Sequence, residues 1–389
     1  MKPKLHLLLA LARIYHDCFG VDTNREGRAR CPQRAGYSAP RRRWEIWGLT
    51  GLVAICLGGF VQAAELPVTA WQGRTMGSPY TVQIAGAALD EQTTAALKAE
   101  IEQTLREVNR QMSHYQPDSE LSCFNRAPPN QPFKVSPEFA RVVRFTLEIC
   151  RQTHGALDPT LAPVINLWGY GEQSTNRAVP SEADLQAALK KTGYRHLSVS
   201  PKNELIKDIP DLTINLSAVA KGFGVDEMTR VLQRRGYTNI YASIAGEVRL
   251  LGLNPRGTKW RVGISAPVSN WREDDPMLAV ANLSNQAIST SGDYQKFFFD
   301  AQGHRLCHIF DPATGWPVQH HVGGVSVVAT DNMTADALST ALFVLGPEAG
   351  MKFIETRTNA AALFIVREAE GKFRQIPSSR FEAFTGYKP

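Results

Sequence analysis

At 389 residues and 43% hydrophobic content the chain is long enough to bury one large core or two modest ones. Its balance of charged, apolar, Gly and Pro residues argues against a disordered, collagenous, coiled-coil or solenoid protein. The net charge of +6 is local: ten of the 43 Lys/Arg and four of the 37 Asp/Glu fall in residues 1–63, leaving 33 of each in 64–389, so a nucleic-acid-binding reading loses its electrostatic support.

Residues 1–63 read as a leader. Arg41, Arg42 and Arg43 precede an apolar run from Ile46 to Val61, and Val61-Gln62-Ala63 puts small residues at the cleavage subsites, which predicts an exported protein cut after Ala63. The run is roughly 16 residues with four glycines, short for a permanent membrane helix. An uncleaved anchor is the alternative. The stretch ahead of it is long for an n-region and carries its own apolar segment, Leu5 to Leu11, which suggests a start site placed too early. Bulky Ile55 before Cys56 argues against a lipoprotein. Past the cleavage point Cys123, Cys150 and Cys307 remain, an odd number without CxxC spacing, so neither a disulfide framework nor a zinc signature is present.

The folded part, 64–389, has no Pro/Gly/Ser-rich linker and reads as one domain. It opens with a strand at Tyr80–Ile84, then an amphipathic helix from about Asp90 to Met112 with Leu97, Ile101, Leu105 and Val108 at helical spacing. A second helix runs from Pro137, with Ser136 as its cap, to His154 before Gly155, and a third starts at the cap Ser181 and stops at Gly193. Short β segments fill Asn239 to Thr330, helix returns from Met333 to Glu355, and a strand follows at Ala361–Val366. Long helices packed on meandering sheets imply an α+β fold.

Five segments carry candidate chemistry. In Asp331 to Ala341, Asp336, Ser339 and Thr340 stand at i, i+3 and i+4, so one helix face offers a carboxylate and two hydroxyls, hard oxygens that suit magnesium. Alone, that face reads more readily as a polar helix surface or an N-terminal cap. In Asn215 to Asp226 a β segment, Leu212 to Leu216, runs into a helix of small residues, a junction that presents backbone N–H groups to phosphate, with Lys221 as a nearby cation. The glycine spacing of a Walker or dinucleotide motif is absent. In Gly155 to Leu161, continuing to Asn166–Gly171, an apolar loop with Asp158 and flanking aromatics could hold a flat heterocycle or be an ordinary turn. His308 to Gly315 is a strand ending in a tight turn whose histidine suits proton transfer. Cys307 beside it points to the opposite strand face and forms no nucleophile pair. Met76 and Tyr115, in the last pair of segments, are apolar bodies fit for an isoalloxazine or adenine face, or plain core residues.

These segments occur jointly and in order. With TMGSPY, MSHYQPDSELSCFN, GALDPTLAPVINLWGYG, INLSAVAKGFGVD, IAGEVRLLG, ISTSGDYQKFF, HIFDPATGWPV and ADALSTALFVLG, roughly Val68 to Tyr387 resembles the FAD:protein FMN transferase (ApbE) family. The resemblance implies a T-fold-like α+β architecture, mixed or antiparallel sheets packed with long helices, with Mg2+ and the substrate FAD between two lobes. It also implies a periplasmic or outer-face enzyme that esterifies FMN to a Thr or Ser of an acceptor protein and releases AMP. Acceptors would be FMN-binding-domain proteins such as quinone reductase or Rnf complex subunits.

By matching position the resemblance implies Asp336, Thr340, the Ala218 carbonyl and Ser339 as metal ligands. Met76, Tyr115, Ala156, Leu157, Asp158, Asn215, Lys221 and the backbone near Phe310 become flavin and adenine contacts, and His308 the general base. Two departures stand out: the family often has Asp where this chain has Asn215, and Gly where it has Ala245. An FAD pyrophosphatase giving FMN and AMP, a periplasmic FAD-binding protein, and an exported α+β domain without flavin are the competing readings.

Overall fold

The computed structural model describes residues 65–171, 177–270, 272, 275–369 and 371–388; the expected leader and cleavage point lie outside the described residues. Eight strands make the frame. Val68–Thr75, Ser78–Ala85, Ile240–Ile244, Glu247–Leu251, Gln286–Gly292, Val322–Ala329, Ala360–Ala369 and Lys372–Pro377 lie side by side in that order, each antiparallel to the next. The α+β expectation holds, and every strand pair among the described residues is antiparallel.

Alternation along the strands follows how many faces are covered. Near one edge, Tyr80, Val82 and Ile84 point inward against Leu97, Ile101 and Leu105 of the Glu91–Met112 helix. In the middle, Val322–Ala329 is buried at every position because both faces are covered. Val325, Val327 and Ala329 meet Ala335, Leu338 and Leu342 of the Asn332–Glu355 helix. Val328, Ala361 and Leu363 meet Trp260, Ala281 and Phe381 behind the sheet.

The helix starts are set by side-chain caps where the sequence predicts them. Asp90 accepts from Thr93 N–H, Ser136 from Phe139 N–H ahead of Pro137–Gln152, and Ser181 from Asp184 N–H ahead of Glu182–Leu189. The last of these helices ends sooner than expected, and a turn leads to Gly193 at φ 125°. Leu212–Leu216, expected as a β segment, joins no sheet. Its backbone is held instead by the Asn125 amide, which accepts from Ile214 N–H (2.8 Å) and donates to Ile214 C=O (3.0 Å), and by the Pro159 carbonyl, which accepts from Asn215 N–H (2.7 Å). Those partners occupy the groups a strand neighbour would have used.

Among the described residues, Asn332–Glu355 is the helix long and apolar enough to cross a bilayer, but it lies on the sheet and is apolar because it is core. It is also broken. Gly346 leaves the helix at φ 72°, and Pro347 brings no N–H to the Phe343 carbonyl four residues back. His320 Nε2 takes that carbonyl at 2.5 Å. Replacing His320 by Ala strands the acceptor and is expected to cost about 1–3 kcal/mol in urea denaturation. An unchanged midpoint would mean that water satisfies the carbonyl instead.

Candidate active site

The site begins where two helices touch. Gly222, in the first turn of the Ala220–Arg234 helix, lies so close to the Asn332–Glu355 helix that a Cβ would sit 2.5 Å from the Asn332 carbonyl and 2.8 Å from Asp336 Cβ. Only glycine permits the approach. Gly222 is the third residue of that helix, so its N–H has no carbonyl of its own helix to meet. Here it donates to Asp336 Oδ2 at 2.9 Å, and no donor among the described residues takes the Ala218 carbonyl. That contact ties the Asp336 carboxylate to the start of the helix that follows Ala218 in the chain.

The hydroxyls expected on the Asp336 face are there, with unequal freedom. Ser339, 1% exposed, donates to the Asp336 backbone carbonyl (2.9 Å), so its proton is spent within the helix. Ser291 from the Gln286–Gly292 strand stands 2.8 Å from Ser339 Oγ and 3.0 Å from Thr340 Oγ1. Among the described residues no three His, Cys, Asp or Glu are grouped to hold a metal. A cation here would be held by one carboxylate, hydroxyl and carbonyl oxygens and water, a set that suits a hard ion such as Mg2+ rather than zinc.

Charge favours such an ion. Asp336 is 6% exposed and Glu247 7% exposed, and both face Lys221, whose Nζ lies 3.4 Å from Glu247 Oε1. Burial, then the Glu247 carboxylate, push the Asp336 pKa well up, against Lys221 and the Gly222 N–H. Burial likewise raises Glu247. Lys221 is opposed by burial, yet Glu247 and Asp336 overrule it and hold the ammonium above the usual lysine range. Asp226, buried and pushed to about 6, accepts Asn332 N–H (2.9 Å) and Met333 N–H (2.9 Å) at the start of the other helix.

The expected flavin contacts divide into exposed and occupied groups. Tyr115 is 67% exposed and lies on the Lys221 side of the site. Met76 turns the first hairpin at φ 48° and packs beside Gly224 of the Lys221 helix. Asn215 folds its Oδ1 back onto Ser217 N–H (2.8 Å). Ala156 is half-buried and Leu157 is core. The Asp158 carboxylate is taken by Thr160 N–H (2.8 Å), Thr160 Oγ1 (2.6 Å) and Tyr194 N–H (2.9 Å), which makes it a clamp on its own loop. Phe310 is buried against Trp168 and Tyr170. Two clefts, about 270 Å³ beside Arg74 and Asn109 and about 360 Å³ beside Asp311 and His320, are not lined by Lys221, Asp336 or Thr340.

His308 lies just past the Arg305–Cys307 strand rather than on it. Its Nδ1 is 3.3 Å from the Lys296 carbonyl, which can only accept, so the proton sits on Nδ1 and Nε2 carries the lone pair. Burial, then Lys296, push its pKa down to about 4. Next to it Cys307 is an inert core thiol, raised to about 12 by burial. Gly222, Asp226, Glu247 and Ser291 were not among the residues singled out in the sequence. Glycines inside a helix, at 222 and 224, were the one available signal.

An antiparallel sheet with two helices crossing on it thus gathers one buried carboxylate with serine and threonine hydroxyls at the crossing. The chain belongs to the ApbE family, whose sequence model matches residues 76–364. It is 40% identical over 313 residues to the FAD:protein FMN transferase of Vibrio cholerae, covering 80% of this chain and 91% of that protein. It is 35% identical over 346 residues to the Haemophilus influenzae FAD:protein FMN transferase, covering 87% and 99%. The fold matches the solved flavin transferase ApbE from V. cholerae with a TM-score of 0.73 at 38% identity, over 82% of this chain and 99% of that one. It matches the apo flavinyl transferase ApbE of Pseudomonas stutzeri with a TM-score of 0.74 at 33% identity, over 84% and 99%.

Two predictions follow from local geometry. His308 is expected by histidine NMR to stay neutral, with the proton on Nδ1, as the pH falls to about 5. Because its folded value of about 4 lies below the ordinary 6.5, its contribution to stability is intact above 6.5 and fades as the pH drops toward 4. By surface exposure the ring is only half-buried, and a titration near 6.5 would mean that solvent reaches it. Ala245 sits at φ 54°, where an L-residue is strained, so Ala245→Gly is expected to raise stability by up to about 1 kcal/mol in thermal denaturation.

Proposed function

We propose that this chain transfers FMN from FAD to a Thr or Ser hydroxyl of an acceptor protein and releases AMP. The observation that carries the reading is the Gly222–Asp336 hydrogen bond, which holds a buried carboxylate against the start of the helix that follows Ala218. Asp336, Thr340 and the Ala218 carbonyl would hold Mg2+, with Ser339 and Ser291 fixing the hydroxyls. When bound, Mg2+ supplies the charge that neutralises the pyrophosphate and polarises the phosphorus of FMN. The names of the relatives, FAD:protein FMN transferase, support the same chemistry.

The protein's own groups do the rest. Lys221 holds the nucleotide phosphates by charge. Tyr115, with its ring open to solvent, offers a stacking face to a flavin or adenine. His308 Nε2 takes the proton of the attacking hydroxyl, while the Lys296 carbonyl keeps the ring turned by holding Nδ1–H. A neutral imidazole is the base form, so His308 is ready at neutral pH without first losing a proton. The leader predicted from the sequence would send the enzyme to the periplasm or the outer face of the inner membrane, where FMN-binding-domain proteins such as quinone reductase or Rnf complex subunits would be its acceptors.

One incubation tests this. With FAD, Mg2+ and an FMN-binding-domain acceptor, intact mass should show one FMN added to the acceptor, and Asp336→Ala should abolish it. Tyr115→Ala should mainly raise the KM for FAD, by about tenfold. Release of free FMN with no gain on the acceptor would favour an FAD pyrophosphatase, and FAD held without turnover would favour a carrier.

A further inference from the structure

We propose that Glu247 is a positioning residue that holds the Lys221 ammonium off Asp336 and so keeps the Asp336 carboxylate open to a divalent cation. The role rests on the cation site described above. Glu247 follows the tight turn at Ala245-Gly246, and its strand pairs with Ile244 and then with the Gln286–Gly292 strand. That rigid seat aims a carboxylate inward, where it is 7% exposed and has Lys221 Nζ at 3.4 Å as its hydrogen-bond and ion-pair partner. Tyr294 and Asp336 are the other ionisable groups close to it.

Lys221 is adjacent in sequence to Gly222, whose N–H is bonded to Asp336. Its flexible stem therefore reaches two buried carboxylates, and whichever it pairs with is unavailable to another cation. An ammonium on Asp336 competes directly with the metal. A second carboxylate on a fixed hairpin removes that competition by giving the ammonium a better-anchored partner. Without Glu247, Asp336 is the remaining buried acid within reach of Lys221, and the internal cation would take the metal's place.

The alternative is that Glu247 acts only through its own negative charge. A double-mutant cycle on the full chain, titrated with Mn2+ alone and followed by the EPR signal of the free ion, separates the two. Glu247→Gln is expected to weaken Mn2+ binding by about 10- to 100-fold, with Glu247→Asp restoring part of it. Lys221→Met alone should bind Mn2+ more tightly than the wild type. Glu247→Gln in the Lys221→Met background should change the affinity little. Equal weakening in both backgrounds would overturn the proposal, as would looser binding in Lys221→Met, a variant that keeps the test alive if Glu247→Gln does not fold. Wild-type binding of Mn2+ that survives Asp336→Ala would overturn the cation site itself and this role with it, a failure distinct from additivity in the cycle.

Discussion

The contact between Gly222 N–H and the Asp336 carboxylate is the constraint on which the site depends. It requires the helix starting at Ala220 and the helix starting at Asn332 to approach until backbone touches side chain, a distance no Cβ at position 222 would allow. The same pair of helices is joined a second time, in the opposite sense, by the Asp226 carboxylate accepting Asn332 and Met333 N–H. Asn332 then fixes the pair to the sheet, donating to the Val248 carbonyl (2.7 Å) and accepting from Ser289 Oγ (3.0 Å). Helix crossing, sheet and oxygen donors are thereby one rigid assembly, the kind of support a metal or phosphate site needs.

That assembly sets the local charge. Three buried carboxylates, Asp226, Glu247 and Asp336, cluster around this crossing, each raised in pKa chiefly by burial. Lys221 answers two of them. A buried carboxylate costs a great deal unless it is paired, and the third, Asp226, is answered by Arg249 and by the two N–H groups it accepts.

The frame was legible in the sequence because its signals are local. The caps Ser136 and Ser181, the helical spacing of Leu97, Ile101 and Leu105, and the i, i+3, i+4 set on the Asp336 helix all read within one or two turns. What was not legible depends on distant partners. Gly222 meets a residue 114 positions away, and Ser291 meets one 48 away, so neither has a neighbour that announces it. Leu212–Leu216 has strand composition but finds the Asn125 side chain instead of a strand. Asp158 reads as a polar handle for a ligand, yet its carboxylate is filled by its own loop and by Tyr194. The break at Gly346-Pro347 was visible as residues, but its tolerance rests on His320, which only the fold supplies.

The most direct test of the account is where a metal sits. In crystals grown with Mn2+ and FAD, the anomalous difference map should place one ion about 2.0–2.2 Å from an Asp336 carboxylate oxygen and from the Ala218 carbonyl, with Thr340 alongside. An ion bound elsewhere, with neither Asp336 nor the Ala218 carbonyl beside it, would contradict it.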